Sequence, residues 1–319
     1  MDDEQRPDAT TKRKLPLFGE AGGPQPAQRP EPTPKSAPQE PQPIAGIRHV
    51  VAVSSGKGGV GKTTVAANLA TALARRGSRV GLMDADVYGP DIPIMFGVHS
   101  RPRVTRDERV VPLEAHGVKL MSIGFLLDDD TPAIWRGPIV MGIIRQFLQQ
   151  VDWGELDYLI VDMPPGTGDA QLSLVQLVKV DGALMVTTTP CGVVDGALMV
   201  TTPQGVAVAD VLKGIKMFER VDVPVLGLVE NMSGFVCPHC GGETDVFGRG
   251  GGRKLAAVAG VEHLADIPLG PSVVAESDAG RPTVIAEPES AVAKAFEQLA
   301  DRLAGILEAI AASAETPHG

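Results

Sequence analysis

From Ile47 onward, apolar runs alternate with stretches of helical period. The runs at 49–54, 79–84, 119–124, 156–163, 223–230 and 263–268 are expected as strands. Several are apolar throughout rather than alternating, as suits strands covered on both faces. Between them lie helical patterns. Residues 63–76 close at Gly77, which suits a helix C-terminus. Residues 138–151 open on a proline, and 170–179 and 206–219 follow. This order predicts an α/β fold, a doubly wound, mostly parallel sheet with helices on both faces. A last helix is expected at 290–312, with Val292, Phe296, Leu299, Leu303, Ile306, Leu307 and Ile310 on one stripe. Its polar face mixes Lys294 and Arg302 with Glu297, Asp301 and Glu308. A membrane-surface helix wants a cationic face instead, so packing on the sheet is expected.

Residues 1–46 break this rhythm. They hold ten of the 27 prolines and almost no apolar periodicity. Such a stretch cannot bury enough surface to offset its ordering entropy. The expected organisation is a disordered, Pro-rich tail at 1–46, one folded α/β domain at 47–312, and a disordered end at 313–319. The tail reads as a tether, and its run KRKLPLF at 12–18 holds its only anchor-like residues.

Composition narrows the function. The formal charge is −10, from 29 Lys and Arg against 39 Asp and Glu. Nonspecific nucleic-acid binding needs a basic face, so neither nucleic acid nor membrane is an expected partner. The polar N-terminus has no apolar core of a secretory signal. Three cysteines, Cys191, Cys237 and Cys240, are too few for a disulfide framework. A cytoplasmic, reducing setting is expected.

One segment is duplicated. VDGALMVTT occupies 180–188 and again 194–202. Each copy would span about 30 Å extended, while the link between them reaches at most about 18 Å. A parallel return needs a dozen or more connecting residues. One copy therefore fills a sheet position and the other is an insertion. The second is the expected strand because it runs into the next helix, although the first joins the preceding helix directly. Cys191 falls in this insertion and is read as incidental.

The chemistry begins after the first strand. Gly56-Lys57-Gly58-Gly59-Val60-Gly61-Lys62-Thr63-Thr64 matches G-x-x-x-x-G-K-[ST] in a strand–loop–helix context. Its glycines let backbone N–H groups turn toward phosphate oxygens, and the helix N-terminus adds partial positive charge. Lys62 is placed for the β- and γ-phosphates of ATP, and the Thr63 hydroxyl for Mg²⁺. Lys57 adds a second lysine that the cradle does not need. The Lys57…Lys62-Thr63 pattern resembles the deviant Walker A motif of the MinD/ParA/nitrogenase-iron-protein class. That resemblance implies an ATP-linked homodimer in which Lys57 crosses to the partner's nucleotide. It also implies that Asp86, in Asp84-Ala85-Asp86, orients the attacking water. Asp162 ends an apolar strand in the Walker B form and is expected to hold Mg²⁺. In the following switch II pattern, Gly166 is expected to offer its N–H to the γ-phosphate.

Cys237-Pro238-His239-Cys240 carries the other chemistry. A Cys₄ zinc site within one chain is impossible with three cysteines, though a Cys₂His₂ site remains open. A redox pair would place its first cysteine at a helix N-terminus, which the flanks do not suggest. Two cysteines from each of two subunits make the Cys₄ set of a [4Fe–4S] cluster. Together with 50–90, 162–169 and 230–253, this motif resembles the Mrp/ApbC/Nbp-type iron–sulfur carrier ATPases over 44–312. The resemblance implies ATP-dependent binding of a labile cluster, received from a scaffold or donor and passed to apo-protein recipients. It also implies that Asn231 contacts adenine. Many members carry a further N-terminal assembly-type domain where this chain has its Pro-rich tail. Two alternatives remain at this point. One is a MinD/ParA-like positioning ATPase, although no basic face marks the sequence. The other is a regulatory nucleotide-binding protein with a structural zinc.

Overall fold

The computed structural model describes residues 44–127, 137–166, 196–237 and 239–315. These belong to a unit within Pro38–Gly319. Its centre is β1 (Ile47–Ser55), whose residues 49–55 are buried. It pairs in parallel with β7 (Leu156–Asp162) on one side and β8 (Gly196–Thr201) on the other. Outward from β7 come β2 (Val80–Asp84) and β6 (Val118–Ser122), also parallel, with β5 (Leu113–Ala115) as an antiparallel edge. Outward from β8 come β9 (Val225–Val236) and β11 (His263–Leu269), both parallel. A short β10 (Glu243–Thr244) turns back antiparallel on the end of β9. A separate ribbon joins β3 (Arg103–Val104) to β4 (Val110–Val111). The mostly parallel, helix-covered sheet expected from the sequence is the one found.

The helices follow local signals. α1 (Lys62–Arg75) starts where Gly61 takes φ +78°, a left-handed conformation that only glycine adopts without strain. It ends at Gly77, φ +86°, whose N–H bonds Ala74 O. A short helix, α2 (Ile92–Met95), and a longer one, α3 (Gly137–Gln149), precede β7. α4 (Gly205–Arg220) follows β8, and α5 (Gly251–Ala259) lies between β10 and β11. After β11 come α6 (Pro271–Asp278), α7 (Thr283–Ala286) and α8 (Ala291–Glu315). Phe296, Leu299, Leu303 and Leu307 of α8 are fully buried in one core with α1 and the sheet. Arg75 of α1 and Arg76 just after it pair with Glu297 of α8. The apolar stripe at 290–312 is thus a packing face. Among the described residues no helix is long and apolar enough to cross a membrane.

One expectation changes, and the expected choice between the repeated segments holds. The strand expected at 223–230 continues to Val236, because its pairing passes from β8 to β11 and then to β10. The second VDGALMVTT copy supplies β8, fully buried between β1 and β9. The first copy, Cys191, the helix expected at 170–179, Thr167-Gly168-Asp169 and most of both terminal segments lie outside the described residues.

Candidate functional site

The parallel strands point their C-terminal ends to one edge, where open α/β sheets bind ligands. The phosphate loop leaves β1 there. Gly59 (φ +80°) and Gly61 (φ +78°) supply the left-handed turns. Gly56 is required for a different reason. A Cβ there would lie 2.3 Å from the Asp210 carbonyl carbon, so the loop packs directly on the α4 backbone.

Beside the loop, three carboxylates surround one ammonium. Lys62 Nζ is 2.6 Å from Asp162 Oδ1, 3.2 Å from Thr63 Oγ1 and 4.0 Å from Asp86 Oδ2. Register explains the convergence, since Asp84 stands opposite Asp162 across β2 and β7. Asp84 is buried and accepts from Ser122 Oγ (2.9 Å) and the Asp86 N–H (3.0 Å). Burial pushes the Asp84 carboxyl well above its ordinary range, and the Asp162 charge adds to the rise. Burial also raises Asp162, against the pull of Lys62. Asp86 is raised by burial as well, again opposed by Lys62. Asp162 Oδ2 is buried with no hydrogen-bond partner. That free oxygen and the Thr63 hydroxyl form a hard-oxygen pair that fits Mg²⁺.

The remaining expected residues divide. The Gly166 N–H is donated to Ser55 O at 3.2 Å, so a γ-phosphate would have to replace that acceptor. Asn231 is buried on β9 and donates from Nδ2 to Val60 O at 2.9 Å. It braces the phosphate loop in this structure rather than standing free. Lys57 makes no ion pair among the described residues, and only its carbonyl is engaged, by Ser55 Oγ. Lys62, Thr63, Asp86, Asp162 and Asn231 thus gather around one loop.

Cys237 and Cys240 lie at the far end of the same strand. β9 leads into a tight turn in which Cys237 N–H bonds Gly242 O, and Gly241 N–H bonds Cys237 O. Cys240 is exposed and Cys237 half-buried. Backbone N–H groups of His239 and Cys240, then the Cys240 side chain, point at the Cys237 sulfur and hold its pKa below that of an ordinary thiol. A lowered pKa favours the thiolate, the form in which cysteine binds metal. The turn also differs from a redox CxxC, because it sits on a β-hairpin and not at a helix start. Among the described residues no group of three or more His, Cys, Asp or Glu side chains is placed to hold a metal ion. The hairpin itself offers two cysteine sulfurs.

Sequence reading missed Asp84 and Glu230. Asp84 ends β2, the same signal that exposed Asp162, whereas Glu230 lies in the middle of β9, and each becomes significant only through the partners the fold brings to it. Glu230 is buried and accepts from Ser233 Oγ, Gly250 N–H and Gly252 N–H.

Comparison with known proteins places this geometry. The family model for the NUBPL iron-transfer P-loop NTPases, of the ParA class, matches residues 46–304. An iron–sulfur cluster carrier protein of Pseudomonas fragi is 50% identical over 259 residues, 81% of this chain and 85% of that protein. The iron–sulfur cluster transfer protein NUBPL of Mus musculus is 47% identical over 264 residues, 82% and 78% of the two chains. Among solved structures, a nucleotide-binding protein from Archaeoglobus fulgidus in complex with ADP has a TM-score of 0.65 and 41% identity, covering 77% of this chain and 91% of that one. The cell division ATPase MinD of Pyrococcus furiosus, 24% identical, shares the fold with a TM-score of 0.59, over 81% and 99%.

Proposed function

Since the chain belongs to the NUBPL iron-transfer P-loop NTPases, we propose that it is an ATP-dependent carrier of a labile [4Fe–4S] cluster. The observation that carries this reading is a single strand, β9. It touches the phosphate loop through Asn231 and presents the Cys237–Cys240 turn six residues further on. The cluster is cargo, received from an iron–sulfur donor or scaffold and handed to apo-proteins in a reducing compartment such as the cytoplasm.

In the proposed cycle, the glycine loop wraps the phosphates of ATP with its N–H groups. Lys62 leaves Asp162 Oδ1 for the β- and γ-phosphates, the more demanding anions. Mg²⁺ would be held by Thr63 and Asp162 and would offset phosphate charge as a Lewis acid. Asp86, beside Lys62 but not its main partner, orients water for attack. Gly166 exchanges Ser55 O for a phosphate oxygen. Asn231 turns between the Val60 carbonyl and the adenine. Lys57, without an ion pair among the described residues, reaches the nucleotide of a second subunit. Two thiolates per chain require a homodimer to complete four ligands, which places one cluster between subunits.

Anaerobic reconstitution with iron and sulfide tests the reading. A visible spectrum typical of a cubane and about four irons per dimer are expected. Cys237→Ser and Cys240→Ser should bring bound iron close to zero, while Cys191→Ser should retain it. Four irons on an isolated monomer, or cluster loss in Cys191→Ser, would rule out the bridging arrangement.

A further inference from the structure

Between Glu230 and Gly250 the chain makes a long excursion that carries both cysteines at its tip. Residues 239–247 are exposed, so the sheet packs little against them. The excursion leaves along β9 and returns through β10 into the glycine run that starts α5. Its outer half is held by Arg249, which pairs with Glu243 and Asp245 at 3.1 Å each. A Cβ on Gly234 would come within 2.5 Å of the Arg249 Nη2, so the guanidinium lies directly over the strand. Its neck is held by Glu230. Oε1 accepts from Gly250 N–H (2.9 Å) and Ser233 Oγ (2.5 Å), and Oε2 from Gly252 N–H (2.5 Å). Gly250 and Gly252 lie at the α5 N-terminus, where unpaired N–H groups and the helix dipole favour a carboxylate. Glu230 has no ion-pair partner among the described residues, so these three donors are what meet its charge.

We propose that Glu230 is the positioning residue for the cluster cysteines. It pins the returning arm of the excursion to β9 and thereby fixes where Cys237 and Cys240 stand. Joining the two ends of a loop removes most of its freedom to wander, and ligand sulfurs must be held tightly to retain a labile cluster. Of the two arms, β9 is fixed by its sheet partners β8 and β11, whereas the return arm reaches the core through Glu230. The proposal rests on the carrier reading for its functional consequence, but the clamp itself is testable without a cluster.

The test uses the full chain with Glu230→Gln, which keeps size and one acceptor while turning an N–H₂ toward a donor. Glu230→Ala, Ser233→Ala and Gly252→Ala complete the set. A Cβ on Gly252 would press on Leu228 Cδ2 at 2.9 Å and on Glu230, at 3.0 Å from Cβ and 3.1 Å from Oε2, and so displaces the clamp from the other side. Hydrogen exchange in the protein without cluster should rise for Glu230→Gln and Gly252→Ala across 235–252 only. Protection in α1 and β7 should hold, which a general loss of stability would not allow. After reconstitution, chelator-driven iron release should quicken about tenfold in Glu230→Gln and less in Ser233→Ala, given the worth of a hydrogen bond to a charged group. If Glu230→Ala does not fold, Glu230→Gln and Gly252→Ala decide. Unchanged exchange across 235–252 overturns the clamp. Raised exchange with wild-type iron release overturns the positioning role. A wild-type chain that takes up no iron fails the carrier reading instead, and the exchange result then decides the clamp alone.

Discussion

Asp84 and Asp162 face each other on neighbouring strands, and the ammonium of Lys62 is the cation that answers both. Two buried carboxylates against one lysine leave an excess of negative charge, which burial makes costly. A carboxyl whose folded pKa lies above its unfolded value, near 4, binds its proton more tightly when folded. Stability therefore falls as pH climbs from that value through the raised one. Asp84→Asn keeps the acceptor for Asp86 N–H and the contact with Ser122 while removing the charge. Without nucleotide it should melt a few degrees higher than wild type at pH 8, at roughly 2–4 °C per kcal/mol for a large domain, with a smaller gain at pH 5. Calorimetry at the two pH values checks this, and a gain independent of pH would show that charge is not the cause. Asp86 belongs to the same cluster with a different duty. Asp86→Asn should keep Mg-ATP binding close to wild type and slow hydrolysis about 100-fold or more, the usual cost of a lost transition-state contact. Equilibrium binding and single-turnover rates separate the two, and loss of binding would reassign Asp86 to the metal.

At the scale of elements, β8 is the informative case. Two identical segments compete for one slot between β1 and β9, and local propensity cannot choose between identical strings. Connection length does. The second copy runs through Pro203 and Gln204 into α4, whose first turns pack on the phosphate loop at Gly56. Using the first copy would leave 14 extra residues between the strand and that helix. Deleting 180–193 removes the first copy and should leave a folded chain with an equal or higher melting temperature. A drop of more than about 5 °C, over 1 kcal/mol for a domain of this size, would show that both copies are structural. The other elements were largely legible beforehand. The interiors of the strands at 49–54, 79–84 and 156–163 are apolar on both faces because both faces are covered, and α1 announces itself through Gly61 and Gly77. The extension of β9 to Val236 was not legible, since Ser233 and Gly234 read as a turn, and Met232 does take a positive φ (57°), until β11 and β10 are in place.

For the whole molecule the proposal is a dimer, with Lys57 acting across the interface. Lys57→Ala should therefore bind ATP and fail to turn it over. Mixing Lys57→Ala subunits with Asp86→Asn subunits gives a sharper result. If the lysine acts in the partner's site, each mixed dimer holds one site with both groups intact. Random pairing then restores about a quarter of the wild-type rate. If Lys57 acts on its own nucleotide, both sites in every dimer stay dead and mixing restores nothing. Steady-state ATPase assays on pre-equilibrated mixtures distinguish the two.

What the sequence determined by itself is the chemistry written in short windows. The phosphate loop, the cysteine turn and the strand-ending acids are local, because glycine dihedrals, hydrophobic period and ligand spacing act over a few residues. What the tertiary structure decided is which of these windows meet. Asn231 reaches Val60 across 171 positions, Lys62 reaches Asp162 across 100, and Glu230 closes on Gly252 across 22. Those encounters depend on strand order and register, and a buried carboxylate such as Asp84 or Glu230 acquires its meaning only from the donors that the fold places around it.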